Sequence, residues 1–368
     1  MAVPFFDITR QNRSFQPQLD QVIKASVDSG RYILGQTVAD FEQAAAGFCG
    51  TKHAIGVASG TDALHLALRA CGIGPGDEVI TTAFTFVATI EAIIYCGAKP
   101  VFADIEPKTF NIEPRSVTSI INKKTKAILP VSLYGQTPDM QNLLSICDKR
   151  GLRLVEDACQ AIGAEQNGTK SGAFGDAGCF SFFPTKNLGC FGDGGLITTN
   201  NGNLADECRV LRGHGSREMY KYEMIGYNSR LDALQAAILH VKLPKLDDFS
   251  HNRRINAEFY RKNLVNIAEI SLPTEAKGCK HVYNQFTLRV KERDKLVAHL
   301  RSKNIGSMVY YPLALHLHQA YSYLGFKKGD LPETEKAQTE VMSLPIFPEL
   351  TESELAEVVS AIKEFYKK

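Results

Sequence analysis

The chain has 368 residues, 44% apolar and 22% charged, and 42 Lys and Arg against 40 Asp and Glu leave a formal net charge of +2. That length exceeds what one core usually serves, so two domains are expected. The even charge balance lacks the basic stripe that nucleic acid requires, and no apolar run is long enough to span a bilayer, so neither a nucleic-acid nor a membrane partner is expected. The opening MAVPFFDITRQNRS has no basic flank before a long apolar core, which predicts no secretory signal and a cytoplasmic location. The nine cysteines are scattered without C-x-x-C spacing and read as reduced core residues.

In chain order, DALHLALRACG carries Leu64, Ala67, Leu68 and Cys71 at helical spacing and stops at Gly72, and the β-branched run DEVITT follows as a strand. The alternation continues with a helix through FVATIEAIIYCG, a strand KPVFADI, a helix near EPRSVTSIIN, a strand TKAILPVSLYG, a helix DMQNLLSICDKRG and a strand LRLVEDA. Such alternation predicts parallel strands with helical crossovers. AGCFSFF and GGLITTN read as strands without a helix between them, so the sheet is expected to be mixed. After RLDALQAAILHVKL and Pro244 the pattern changes to a polar helix over 246–264, a strand QFTLRV, a helix RDKLVAHLRSKN, a strand GSMVYY and a closing helix in which Thr351 and Glu354 have capping-box spacing. The expected division is a large domain over 1–245, N-terminal segment included, and a smaller α+β domain over 246–368.

Several glycine and histidine motifs lead nowhere. The glycines of CGIGPGDEV follow a helix and precede a strand, the reverse of a dinucleotide-binding turn, and no Walker loop is present. The histidines of HLH, residues 316–318, have no neighbouring cysteines to complete a zinc set, and no metal is expected.

Two residues carry chemistry together. Asp157 closes the apolar strand LRLVEDA, at the strand end where open α/β sheets bind ligands, although aspartate is also common there as a cap. Lys186 follows another strand, in SFFPTKNLGCFGDGG, whose Gly189, Gly192, Gly194 and Gly195 allow close backbone approach. A lysine able to form a Schiff base and a carboxylate able to hold a pyridine nitrogen protonated point to pyridoxal phosphate. That cofactor also needs phosphate donors, a flat apolar partner and a donor for its phenolic oxygen. ASGTDAL at a helix start and Ser181 supply the first, Phe84 or Phe86 in AFTFVAT the second, and Gln160 the third.

With these motifs in order, the chain resembles over nearly its whole length the nucleotide-sugar aminotransferases of the DegT and DnrJ type. The matching stretches are GQTVADFE, ASGTDALHLAL, GPGDEVITTAFTFVAT, GAKPVFADI, PVSLYGQ, VEDACQAIGA, FSFFPTKNLGCFGDGGLITT, LRGHGS and GYNSRLDALQAAIL. The resemblance implies an α/β chain of the fold type I pyridoxal-phosphate transferases, with a mixed, mostly parallel seven-stranded sheet. It implies that Lys186 bears the cofactor, Asp157 pairs with its ring nitrogen, Gln160 meets its phenolic oxygen and Phe86 stacks on its ring. Ser181, Gly60 and Thr61 would hold the phosphate, and Asn228 would reach the phosphate of a partner subunit, which implies a homodimer with shared sites. Tyr134, His214, Arg230 and Tyr310 fall in segments that match substrate-side loops. Arg230 reads either as a fork for the glutamate carboxylate or as a helix-start residue in a surface ion pair. The implied reaction moves an amino group from L-glutamate, through the pyridoxamine (PMP) form, to a nucleotide-linked keto sugar, with carbon 3 favoured. Carbon 4 amination, a ketocyclitol substrate and a noncatalytic regulatory role are the alternatives.

Overall fold

The structure is a computed structural model and describes residues 2–367. Seven strands build the central sheet: β1 (His53–Val57), β2 (Glu78–Thr82), β3 (Lys99–Ala103), β4 (Thr125–Ile128), β5 (Arg153–Asp157), β6 (Ala177–Ser181) and β7 (Gly195–Thr199). Their spatial order is β1-β7-β6-β5-β4-β2-β3, and β7 alone runs against its two neighbours, while the other pairs are parallel. The mixed sheet follows from the missing helix between β6 and β7, which are joined by the Lys186 loop instead of a crossover.

Each parallel crossover has a local cause. The helix Gly60–Ala70 begins where the Ser59 hydroxyl accepts the Asp62 amide at 3.1 Å. It buries Ala63, Leu64, Ala67 and Leu68 against the sheet and is followed by Gly72 with φ of +81°. The helix Met140–Arg150 is capped by Asp139 and leaves through Gly151 with φ of +63°. Chain direction, twist and these stops bring the carboxyl ends of β2, β4, β5 and β6 to one edge, where the site lies.

The helix Leu246–Leu264 covers the range expected for the polar helix. Beyond it, Ile270–Ser271, Phe286–Val290 and Val341–Leu344 form a three-stranded antiparallel sheet covered by the helices Arg293–Ser302 and Glu352–Phe365. Its core packs Tyr260, Phe286, Leu288, Leu296, Leu300, Val358 and Ile362. The Thr351 and Glu354 capping box forms in both directions, as its spacing predicts.

Three features differ from the sequence expectations. GSMVYY is not a strand: Met308 alone bridges to Ser343, while Val309, Tyr310 and Tyr311 turn in among Phe84, Phe110 and Tyr134. The strands His53–Val57 and Val341–Leu344 are additional to those picked out from apolar runs. Residues 3–10 pack on the C-terminal unit and not on the large sheet. Val3 bridges to Ile305 and is buried with the C-terminal core, Phe6 meets Phe347 edge-on, and Arg10 pairs with Glu354 at 2.6 Å. The apolar Val3 and Phe6 find there the face that the short sheet leaves open.

Candidate active site

Asp157 is the last residue of β5 and is buried. Its Oδ2 accepts the Thr89 hydroxyl at 2.7 Å, and its Oδ1 accepts the Cys159 amide at 3.2 Å. Thr89 lies on the helix Ala88–Tyr95 and shares a second hydrogen bond of 2.9 Å with Thr85, so the carboxylate is oriented by a hydroxyl chain from the end of β2. The Asp157 amide donates to the Pro130 carbonyl at 2.9 Å, which continues the β4–β5 ladder past a proline.

Lys186 lies between β6 and β7 at the tip of a loop closed at its base by Cys190 N donating to Phe182 O at 2.9 Å. Its own amide donates to Phe183 O at 2.8 Å. Burial pulls the amine below the ordinary lysine value, and the nearby Cys159 and Asp157 push partly the other way. Among the described residues its Nζ makes no ion pair within 4.0 Å. Beside it Asn187 is buried, donating to Val282 O at 3.0 Å and accepting from Asn284 Nδ2 at 2.9 Å. A segment of the C-terminal half therefore buttresses the lysine loop.

The start of the helix Gly60–Ala70 faces the end of β6. A Cβ on Gly60 would fall 2.7 Å from Ser181 Cβ and 3.0 Å from Cys159 Sγ, and one on Gly195 would fall 2.2 Å from Ser59 O. Only glycine lets these backbones approach, and the result is a cradle of first-turn amides from Gly60 and Thr61 beside the Ser181 hydroxyl. Phe84 is fully buried in the core, whereas Phe86 is 58% exposed, so of the two aromatics Phe86 offers an open ring face.

Gln160 is held between two groups: its Oε1 accepts the Tyr134 amide at 2.7 Å and its Nε2 donates to the Tyr311 hydroxyl at 3.3 Å. Tyr134 is buried with φ of 59°, and its hydroxyl donates to the Tyr310 carbonyl. Burial raises both the Tyr134 and the Tyr310 phenols above the ordinary value. Asn228 and His214 are exposed; Asn228 bridges Gly213, and His214, with φ of 64°, donates its amide to Tyr227 O at 2.9 Å. Arg230 is half-buried and makes no ion pair within 4.0 Å among the described residues, so the surface ion-pair reading has no partner here. Of the residues predicted, Asp157, Lys186, Gly60 and Ser181 come together at the strand ends, and Gln160 and Tyr134 form the adjoining wall. His214, Asn228 and Arg230 lie on the segment leading to the helix Ala233–Lys242.

Sequence reasoning missed Thr89, Tyr311 and Ser229. Ser229 donates to Asp62 Oδ2 at 2.8 Å and accepts the Ala58 amide at 3.3 Å, tying the cradle helix to the Asn228 segment. Tyr311 had a signal in VYYP, where either tyrosine of the pair qualifies. HLH serves structure: His316 meets Glu335 at 3.1 Å, and His318 meets the Leu313 carbonyl at 3.3 Å.

Comparison with known proteins agrees with this geometry. The profile of the DegT/DnrJ/EryC1/StrS aminotransferase family matches residues 14–363. The "Pleiotropic regulatory protein" of Geobacillus stearothermophilus is 50% identical, over 100% of this chain and 99% of that one. The "UDP-N-acetyl-3-dehydro-alpha-D-glucosamine 3-aminotranferase" of Acidithiobacillus ferrooxidans is 42% identical, over 98% of this chain and 97% of its own. The crystal structure of S. venezuelae DesV in complex with a ketimine intermediate superposes with a TM-score of 0.98 at 41% identity, covering 100% of this chain and 99% of that one. That of Bacillus subtilis ntda with bound cofactor PMP superposes with a TM-score of 0.93 at 32% identity, covering 100% of this chain and 86% of that one. The fold, the cradle and the lysine loop thus meet in one conclusion, that the chain belongs to the DegT/DnrJ/EryC1/StrS aminotransferase family.

Proposed function

We propose that this chain is a pyridoxal-phosphate-dependent aminotransferase that moves an amino group from L-glutamate to carbon 3 of a nucleotide-linked keto sugar. The observation that carries this reading is the buried Asp157, oriented by Thr89 and the Cys159 amide, next to a Lys186 amine that burial pulls below its ordinary value. The names of the relatives with 3-keto or 3-amino sugars as substrates support carbon 3.

The residues present fit the cofactor. The Gly60 and Thr61 amides with Ser181 offer donors for a phosphate, Phe86 offers a ring face, Asp157 offers a carboxylate to a pyridinium nitrogen, and Lys186 offers a free amine. When bound, pyridoxal phosphate supplies the electron sink that lets a proton leave the amino-acid Cα. Lys186 Nζ is the base that takes that proton, and its lowered pKa keeps a larger share of it neutral. Asp157, held by two donors, cannot rotate away from the group it pairs with. Asn228 is proposed to serve the site of a second copy in a homodimer; Arg230 is proposed to fork the donor carboxylate, with His214 and Tyr310 facing the sugar, while the buried Tyr134, read from the sequence as a substrate-side residue, supports Tyr310 through its carbonyl instead.

The name of the Geobacillus relative raises a regulatory reading, but a regulator has no use for an amine and a carboxylate assembled in this way. The test is the visible absorption of the purified protein before and after L-glutamate, followed by turnover of 3-keto and 4-keto nucleotide sugars. Bleaching by glutamate and faster turnover of the 3-keto substrates is the expected outcome. No visible band after incubation with pyridoxal phosphate overturns the proposal.

A further inference from the structure

The helix Ala233–Lys242 contains a lysine that the proposed chemistry does not use. Lys242 is fully buried, donates from Nζ to the Gly189 carbonyl at 3.0 Å and lies 4.8 Å from the Phe191 ring centroid. About two turns earlier, Gln235 grips the same loop twice: Oε1 accepts the Phe191 amide at 2.8 Å, and Nε2 donates to the Phe191 carbonyl at 3.2 Å. Just before the helix, Leu231 leaves so little room at Gly194 that a Cβ there would fall 3.1 Å from its Cδ1. Gly189 in turn sits so close to Pro184 that a Cβ would fall 2.4 Å from the Pro184 carbonyl oxygen, and Pro184 is two residues from Lys186. The contacts therefore run from the helix to the loop base and from the base to the residue flanking the reactive lysine.

A residue that only filled this space would be apolar, because burying an ammonium is costly. Burial pulls the Lys242 amine down to about 8, with Cys190 and Glu349 acting in the opposite sense. What a cation gives that a methionine cannot is a strong donor to a buried carbonyl at a fixed point of the loop. The same segment of chain also carries Ser229, which bonds Asp62 and the Ala58 amide at the cradle helix. One continuous stretch, 229–242, thus touches both the phosphate cradle and the lysine loop.

We infer that Lys242 and Gln235 are positioning residues that hold the Gly189–Phe191 base of the loop and so fix the Lys186 amine relative to Asp157 and the cradle. The inference rests on the aminotransferase reading. Neither residue touches substrate; both act through the loop backbone. Misplacement of the amine slows the proton transfer at Cα and leaves the binding of glutamate and sugar in place.

The test compares Lys242→Met and Gln235→Leu with the wild-type holoenzyme. Gln235 is half-buried, so Gln235→Leu keeps the test available if Lys242→Met does not fold. In each folded variant, kcat is expected to fall about tenfold or more while both KM values stay within about twofold. The pH at which the visible band of the lysine-bound cofactor titrates is expected to shift. With the cofactor removed, amide exchange across residues 183–195 is expected to quicken relative to the wild type. Unchanged kcat and an unmoved band titration in a folded variant overturn the inference, whatever happens to thermal stability. A wild-type protein with no band and no turnover is the separate failure of the aminotransferase reading, and the exchange comparison then still decides whether the loop is held from this helix.

Discussion

Two cations mark two regions of this molecule. Lys186, at the edge of the large sheet, has an amine with no ion pair among the described residues, set beside a carboxylate whose own donors are Thr89 and a backbone amide. Arg253, in the C-terminal unit, is fully buried, and its Nη1 donates to the Tyr283 carbonyl at 3.1 Å and the Ile346 carbonyl at 2.6 Å. Burial lowers both groups, and Arg253 comes down to about 10. A guanidinium at that value is still charged at neutral pH and ties two chain segments together, whereas a lysine amine shifted downwards is neutral in a larger share of molecules and so available as a nucleophile and base. On the proposed function, the same desolvation serves stability in one region and chemistry in the other, and the difference lies in whether the polar partners are spent on the cation.

The sharpest way to break that contrast is Lys186→Ala. Turnover is expected to fall about a thousandfold or more, equivalent to roughly 4 kcal/mol of transition-state stabilisation, while the urea midpoint of the cofactor-free chain hardly moves. A large loss of stability would show that the amine was holding structure after all. Arg253→Met should behave in the opposite way: two buried carbonyls lose their donor, and unfolding free energy drops by about 2–4 kcal/mol in urea titration. Its kcat at low temperature is expected to fall far less than that of Lys186→Ala.

Thr89→Val tests the orientation of Asp157 without touching its charge. Losing one hydroxyl donor is expected to lower kcat about tenfold, roughly 1.4 kcal/mol, with a smaller effect on the melting temperature. The smallest effect belongs to Arg10→Ala. The Arg10 hydrogen bonds, with those from Thr351, hold the Glu354 carboxyl down to about 2 from an ordinary 4.5. Because the folded value is depressed, the stabilisation is fully present above pH 4.5 and is lost as pH falls toward 2. Arg10 is 28% exposed, so solvent screens the pair, and a cost of about 1 kcal/mol at neutral pH is expected. Acid unfolding of Arg10→Ala followed by circular dichroism should begin at a higher pH than in the wild type.

What was legible in the sequence follows from the range of the forces involved. Strands and helices announce themselves through local periodicity, and the runs from DEVITT to GGLITTN lie where alternation places them, except that TKAILPVSLYG is a strand only over Thr125–Ile128 and becomes a 3-10 helix at Leu133–Gly135. The closeness of the proposed pair was legible because Asp157 ends a strand and Lys186 lies on the loop leaving its neighbour, where topology rather than side-chain detail brings residues together. Thr89 was not, since its bond to Asp157 spans 68 positions and one threonine in a helix has no pattern. The strand Val341–Leu344 is four residues long and follows directly on a helix, so its apolar run is too short to separate from that helix. GSMVYY has the composition of a strand, yet aromatic packing of Tyr310 and Tyr311 on Phe84 and Phe110 draws it off the sheet.

The bridge between Val3 and Ile305 has a consequence for how the chain is made. Residues 3–10 have nowhere to dock until roughly 300 residues more have left the ribosome, since Ile305, which bridges to Val3, and the helix bearing Glu354 come that much later in the sequence. At about 5–20 residues per second that delay is on the order of 15–60 s. During it Val3, Phe5 and Phe6 stand open to chaperones and proteases, so pulse-chase proteolysis of stalled nascent chains should find residues 3–10 cleavable until the segments bearing Ile305 and Glu354 have emerged.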